Sequence, residues 1–530
     1  MRFLDLASTL ALELSAAPEG TATAAPTKTA VAHPSEKDSP QSVLEVVDAR
    51  KAPNPATPPR RTMPVGGYPL AGTETIESDA GPRFSAQGPI AFMMPPGSFG
   101  DPRLTRDAAR NAAKREAEAA KATPAPTEAT PAEPKPEEDA PDDTSPLRAG
   151  DFLMRGYLDS FAVANWSNRH SRTASVPFTG YDMPSGLHFG MFALDLIYAR
   201  PTFVAEVDLR FGPNALAQNI LDKGTELENI TTAMGTWLPK FAKGKFSLDF
   251  GKFMSPIGLE AYNPWENVAY AYAIPTGMLV PNTHLGLRGN VFVNDALAVS
   301  FLAMNSIWYN LDNNRGKSFG INTTYMPSDK LRIGASYMTG PENPDLLDVE
   351  CDVDTAYDAD TGECGASLGA EASTTQVTVA RGKRPWMHIA NAHVTVRPWP
   401  KLRFAADGMV VYDRIIDNPV TMTMRPTLDI GAIGLVEWQY RKWGSTGVRA
   451  SAVYDRDGWM TGYTDPRTGK TRPMLVGEAT FNLSFSPNRY LDIMLDNRVD
   501  IASRPYYDVA GSRPGQVMFS TMVSMMAHVM

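Results

Sequence analysis

The sequence predicts an all-β fold, a closed transmembrane antiparallel up-and-down β-barrel of about 16 strands behind a long disordered N-terminal segment. Three observations lead there. From Arg148 onward, apolar and polar residues alternate with period two. The connections between these segments are short and long in turn. Trp166, Trp237, Trp386, Trp399, Trp438 and Trp443 fall at strand ends or in turns, where aromatic girdles meet the two membrane interfaces.

The alternation is plain in several segments. Phe203, Ala205, Val207, Leu209 and Phe211 form one face, opposite Glu206, Asp208 and Arg210. Leu475, Ala479, Phe481, Leu483 and Phe485 alternate with Glu478, Thr480, Asn482 and Ser484. Charges opposite an unbroken apolar stripe are what a wet lumen and a lipid exterior require. Such segments lie near 152–166, 186–200, 202–212, 229–238, 245–253, 283–292, 295–305 and 317–326. The second eight lie near 330–339, 386–397, 401–412, 427–440, 445–455, 475–485, 490–500 and 516–530. Pro398-Trp399-Pro400, Pro327-Ser328-Asp329 and Ser486-Pro487-Asn488 supply turn chemistry at the short connections. The long connections, including the one across 413–426, span about 10 to 45 residues. A soluble all-β domain would also alternate, but it rarely keeps strict short/long connections along a whole chain.

Residues 1–147 have a different texture. They hold 22 of the 44 prolines and no tryptophan, and carry 15 basic and 21 acidic residues. Such a segment buries too little apolar surface to offset its chain entropy. Within it, 104–121 is Ala-rich and predicts a short solvated helix. Residues 1–18 read as a weak secretory leader or a start-site error, because Asp5 and Glu13 interrupt the apolar stretch. The chain ends on Val529-Met530, without the aromatic last residue common in outer-membrane barrels.

The whole chain of 530 residues carries a net charge of −9, which excludes the basic stripe of a nucleic-acid binder. No run of 18 apolar residues occurs, so a membrane-spanning form requires a barrel, the alternative structure that satisfies every backbone group in lipid. Cys351 and Cys364, the two cysteines, bracket part of the longest loop, and a disulfide between them suits an oxidising compartment. The same loop carries Asp352, Asp354, Asp358 and Asp360, a weak Ca²⁺ candidate whose spacing is not that of an EF-hand. No other cofactor is expected.

One stretch goes beyond pattern. Gly251-Lys252-Phe253-Met254-Ser255-Pro256-Ile257-Gly258-Leu259-Glu260 is followed by Asn263, Trp265 and Asn267. Further on come Pro281-Asn282-Thr283-His284-Leu285-Gly286-Leu287-Arg288, then Asp312 to Gly320 and Gly340-Pro341-Glu342. This resembles the OmpL-like barrels of the beta-barrel porin-2 family. The resemblance implies an outer-membrane channel passing small hydrophilic solutes or ions, without naming the solute.

The loop from Met254 to Asn282 is the leading functional candidate. Ser255, Pro256 and Gly258 open it with a sharp turn, and Glu260, Tyr262, Trp265, Glu266 and Asn267 follow. A long aromatic loop of this kind is costly to leave in water; it either folds inward to constrict the pore or forms an external cap or subunit contact. Strand parity assigns to the lumen the acids Asp159, Asp195, Glu206, Asp208, Asp249, Asp407, Asp429, Glu437, Asp455, Glu478, Asp492, Asp496 and Asp500. It assigns there the bases Arg155, Arg210, Lys245, Arg288, Arg332, Arg403, Arg449 and Arg498. The acidic excess favours cations, although many of these charges are expected to pair across strands. An enzyme needs His paired with Ser or Asp on the wall, and no histidine sits in a nucleophile motif. A surface receptor or adhesin is the other alternative. The expected partners are outer-membrane lipid, the barrel assembly machinery and small solutes, with homo-oligomers open. The N-terminal segment is expected in the periplasm.

Overall fold

The computed structural model describes residues 147–529, apart from short stretches of which 169–182, 352–354, 368–372, 380–383, 419–421 and 510–513 are the longest. Of the segment before, it describes Arg110, Ala113 and Lys114. These three are helical; the rest of the expected 104–121 helix and residues 1–18 lie outside the described residues.

The chain runs as β1 (Leu147–Ala149), β2 (Phe152–Asn165), β3 (Gly186–Arg200), β4 (Phe203–Phe211), helix α1 (Pro213–Gln218), β5 (Ile230–Trp237) and β6 (Phe246–Met254). Helix α2 (Ile274–Leu279) precedes β7 (Thr283–Phe292), β8 (Leu297–Met304), β9 (Ser318–Ser328) and β10 (Leu331–Gly340). The longest loop holds β11 (Leu346–Cys351), β12 (Thr355–Asp358), β13 (Glu363–Ala366) and β14 (Ser373–Thr378). The barrel resumes with β15 (Met387–Trp399), β16 (Leu402–Asn418), β17 (Thr423–Arg441) and β18 (Gly444–Asp455). It ends with β19 (Met474–Asn488), β20 (Leu491–Ala502) and β21 (Val517–Val529).

Sixteen of these strands form a closed antiparallel ring. Each pairs with its sequence neighbours, and β2 carries both β3 (Tyr157↔Ala193) and β21 (Tyr157↔His528). Closure leaves no edge, the condition for a sheet in lipid. The short β1 was not expected from the sequence. It pairs Leu147 with Met154 at the part of β2 that β21, ending at Gly156↔Val529, does not cover.

Burial is inverted relative to a soluble protein. On β19, Glu478, Thr480, Asn482 and Ser484 are buried while Leu475, Phe481, Leu483 and Phe485 are exposed. On β4, Glu206, Asp208 and Arg210 are buried, and Val207 and Phe211 are exposed. All six rim tryptophans are exposed. Trp443 packs edge-on against Tyr440 and Phe485, with ring centroids 5.9 and 5.5 Å away.

Two expectations are corrected. Lys245 does not face the lumen; it lies exposed in the turn before β6. The connection across 413–426 is not a long loop, because β16 and β17 continue to Asn418 and from Thr423 as a paired hairpin. In the longest loop, β11 pairs with β14 and β12 with β13. Cys364 is disulfide-bonded, no free cysteine occurs among the described residues, and the chain's other cysteine is Cys351.

Candidate functional site

The loop between β6 and β7 lies inside the ring. The backbone N–H of Ser255 donates to Asn282 O at 3.0 Å, closing the loop's neck. Every residue from Ser255 to Val280 is buried, as no loop in outside solvent would be. The turn Ser255-Pro256-Ile257-Gly258 bends the chain inward, and Gly258 takes a φ of 105°, the left-handed region that suits glycine. Gly258 N–H donates to Asn391 Oδ1 on β15 at 3.3 Å, and Ser336 Oγ on β10 donates to Pro256 O at 3.3 Å.

From there the loop reaches across the bore. Glu260 accepts Arg449 Nη1 at 2.5 Å and the N–H of Ala273 at 2.8 Å. Arg449, on β18, also donates to Ala271 O at 2.7 Å and to Glu478 at 2.9 Å. Asp496 on β20 accepts the N–H groups of Tyr270 and Ala271 at 2.8 and 3.2 Å. Arg498 donates to Tyr272 O at 2.8 Å. Tyr270 Oη donates to Asp159 on β2 at 2.6 Å. Arg210 on β4 donates to Asn263 at 3.1 Å and lies 4.0 Å over the Tyr262 ring. Asn267 braces the loop internally through Ala261 N–H at 2.6 Å and Ala261 O at 2.8 Å. Trp265 stacks on His528 with centroids 5.1 Å apart. Glu266 donates nothing and takes one bond from Asn263 at 3.4 Å; burial pushes its carboxyl up to about 8.

The wall is built to receive this loop. A β-carbon on the inward Gly431 of β17 would come within 2.9 Å of Pro275 and Leu279, and one on Gly447 of β18 would run into Val268. Alternation alone did not single out these glycines, nor Asn391 and Ser451, as loop contacts. Ser451 Oγ accepts Ile274 N–H at 3.2 Å. The motif residue Glu342 is buried among donors of the 305–317 loop and accepts Ile307 N–H at 3.0 Å.

The thirteen acids assigned to the lumen are all buried in it, as are seven of the eight bases, Lys245 being the exception. Most bases are paired. Arg155 meets Asp195 at 3.7 Å, Arg210 meets Asp208 at 2.9 Å, Arg288 meets Asp249 at 2.7 Å and Arg403 meets Glu437 at 2.8 Å. Arg498 meets Asp500 at 2.6 Å, and Arg332 also lies in this buried wall. Asp159, Asp407 and Asp496 instead bond to neutral donors, among them Tyr157 at 2.7 Å, Asn391 at 2.5 Å and Asn482 at 2.6 Å.

Ser486, Asp492 and His528 form one chain of hydrogen bonds, in which His528 Nε2 lies 2.7 Å from Asp492. The carboxylate sits between hydroxyl and imidazole, an order that differs from a nucleophilic triad, where the imidazole lies between the other two. Asp352 and Asp354 lie outside the described residues. Asp358 accepts the N–H of Asp360 at 2.8 Å, a turn-capping bond that holds its carboxyl below the usual range, and both side chains are exposed. Among the described residues no group of three His, Cys, Asp or Glu side chains is placed to hold a metal.

No curated protein matches the chain. Solved barrels resemble it in shape at low identity. Outer-membrane OmpT of Vibrio cholerae is 8% identical, with a TM-score of 0.44 over 72% of this chain and 100% of that one. The outer-membrane channel DcaP of Acinetobacter baumannii is 10% identical, with a TM-score of 0.41 over 71% and 96%. OprB of Pseudomonas putida is 11% identical, with a TM-score of 0.41 over 71% and 94%. The family model of the beta-barrel porin-2, OmpL-like proteins matches residues 151–528, the whole ring from β2 to β21. A polar lumen, an apolar exterior and that match together place the chain in the beta-barrel porin-2, OmpL-like family, as an outer-membrane porin that forms an aqueous channel for small hydrophilic solutes or ions.

Proposed function

We propose that the loop Ser255–Asn282 is the channel's filter and that the open path mildly prefers cations. The observation that carries the filter is the span of the loop. It leaves the wall at β6 and β7 and is held by Arg449, Asp496 and Arg498 on β18 and β20. A 16-stranded ring is wide enough for an aqueous bore, so a segment crossing it sets the free width. Support for cation preference is the excess of acids over bases on the inward wall, thirteen against seven, with Asp159, Asp407 and Asp496 bonded to neutral donors instead of arginines.

The first strand of the ring, β2, begins at the short-turn end, which supports a periplasmic location for the N-terminal segment. The exposed apolar band faces outer-membrane lipid, and the barrel assembly machinery and further copies of the chain are its expected protein partners. Replacing Glu260–Gly277 with a short Gly/Ser linker should raise single-channel conductance severalfold in planar bilayers, with the barrel still folded. Unchanged conductance would make the loop a cap instead of a filter. Reversal potentials in a salt gradient should show the cation preference; a clear anion preference would overturn it.

A further inference from the structure

Part of the inward wall near the long loops, on β10, β15, β16, β18, β19 and β21, is apolar. Positions that strand parity points inward there hold Met338, Ile389, Met409, Val453, Met474 and Met518, all essentially without exposure. Each lies within a few residues of a long loop, except Met409 on the extended β16. Onto this wall the loops deliver Ile274, Met278 and Leu279 from α2, Ile307 and Trp308 from the 305–317 loop, and Trp459 from the 456–473 loop. Wall and loop side chains form one continuous apolar cluster. Specific bonds hold it in place: Trp308 Nε1 donates to Met387 Sδ at 3.0 Å, and Glu342 fixes the backbone at Ile307.

A diffusion pore that is wet from end to end has no use for an inward apolar wall. Left in water, these side chains would cost free energy in proportion to the apolar area exposed. They stay dry because the loops cover them, and an apolar constriction of this kind excludes ions by dewetting. When the loops part, a passing solute that offers its own apolar surface offsets that cost, and a fully polar solute does not. Methionine suits such a wall, being unbranched and polarisable and therefore tolerant of varied apolar shapes. Buried charges stand beside this stretch, with Asp455 opposite Met474 and Asp500 opposite Met518 in the strand register, and Asp159, Asp208, Arg210 and Arg288 face inward elsewhere on the wall.

Resting on the channel reading above, we infer that the long-loop mouth is a hydrophobic gate that favours amphipathic solutes, an apolar group joined to a charged or zwitterionic head, over wholly polar solutes of the same size. Leucine and asparagine test this directly, since both are zwitterions of similar shape and asparagine is the slightly smaller. In isosmotic swelling of vesicles carrying the full chain, leucine should enter several-fold faster than asparagine. A plain sieve gives the opposite order or none, and either result overturns the inference.

The double variant Met409→Gln, Val453→Asn places polar groups in the gate. It should speed asparagine, raise conductance in plain salt and bring the two rates close together, with heat-modifiable gel migration reporting a folded barrel. If that wall variant does not fold, Ile274→Asn in the loop should have the same effect. A preference that survives in the folded variant would also overturn the gate. The 260–277 linker protein separates the two readings. If it conducts while the wild type shows no leucine preference, the gate falls and the channel stands. If neither protein passes ions or solutes, the channel reading falls and the gate with it.

Discussion

At the scale of single residues, Arg449 holds most of the loop's electrostatic order. It is buried and shared between Glu260 of the loop and Glu478 of the wall. Replacing it with Met removes one cation from between two buried carboxylates, a change that costs about 3–5 kcal/mol when a buried pair is broken. Because the barrel ladder does not depend on this contact, the loss should fall on loop docking. The expected outcome is a folded barrel with higher conductance and a loop newly cut by chymotrypsin at its tyrosines. A loop that stays protected would show that its apolar contacts suffice. Glu266 gives a second test through pH. Its carboxyl in the docked loop is pushed up to about 8 by burial, with Arg155 and Arg210 opposing that shift and Asn263 its hydrogen-bond donor. The docked loop therefore binds the proton more tightly than a released loop does. Docking is strongest below the ordinary glutamate range, weakens as pH rises, and has lost this contribution by about 8. Conductance should rise as pH increases from 5 to 9, and Glu266→Gln should flatten that response. A conductance that falls with pH would reverse the assignment.

At the scale of elements, the fit between α2 and the wall rests on Gly431. A Leu there would collide with Pro275 and Leu279, and overpacking of this kind costs about 1–3 kcal/mol. Gly431→Leu should unseat α2 without disturbing the β16–β17–β18 ladder, and so raise conductance and loosen the gate's preference for leucine. An unchanged channel would show that α2 has slack the packing does not suggest. The strands themselves were legible because lipid on one side and water on the other force alternation. Where that contrast lapses, the reading fails. The ends of β16 and β17 extend to a four-residue connection, and there Asp413 points inward while its neighbour Arg414 is exposed, so no apolar stripe marks the strand. The inward methionines were missed for the opposite reason. An apolar residue at a lumen position looks like a break in the pattern until the loops that cover it are placed. The inward course of the Ser255–Asn282 loop was foreseeable from its aromatic content, but its landing sites on β18 and β20 were not, because Arg449, Asp496 and Arg498 look the same in sequence as any other lumen charge.

At the scale of the whole molecule, the question is where the folding unit begins. Composition changes at about Arg148, and the family match starts at 151. The ring is complete from β2 to β21, since Gly156–Asn165 pairs with Ser520–Val529 along its full length. The three residues of β1 add one short pairing at the free part of β2 and close nothing. A protein starting at Arg148 loses Leu147 and the Pro-rich segment but keeps every strand-to-strand ladder of the ring. The closed ladder carries the stability in lipid or detergent, because an open ring would strand a row of unpaired N–H and C=O groups. That truncated chain should therefore refold in detergent, migrate anomalously on unboiled gels and conduct as the full chain does. If only the full-length chain refolds, residues 1–147 belong to the folding unit and the boundary lies elsewhere. If the truncated chain folds but conducts more, the N-terminal segment contributes to closing the channel from its own side.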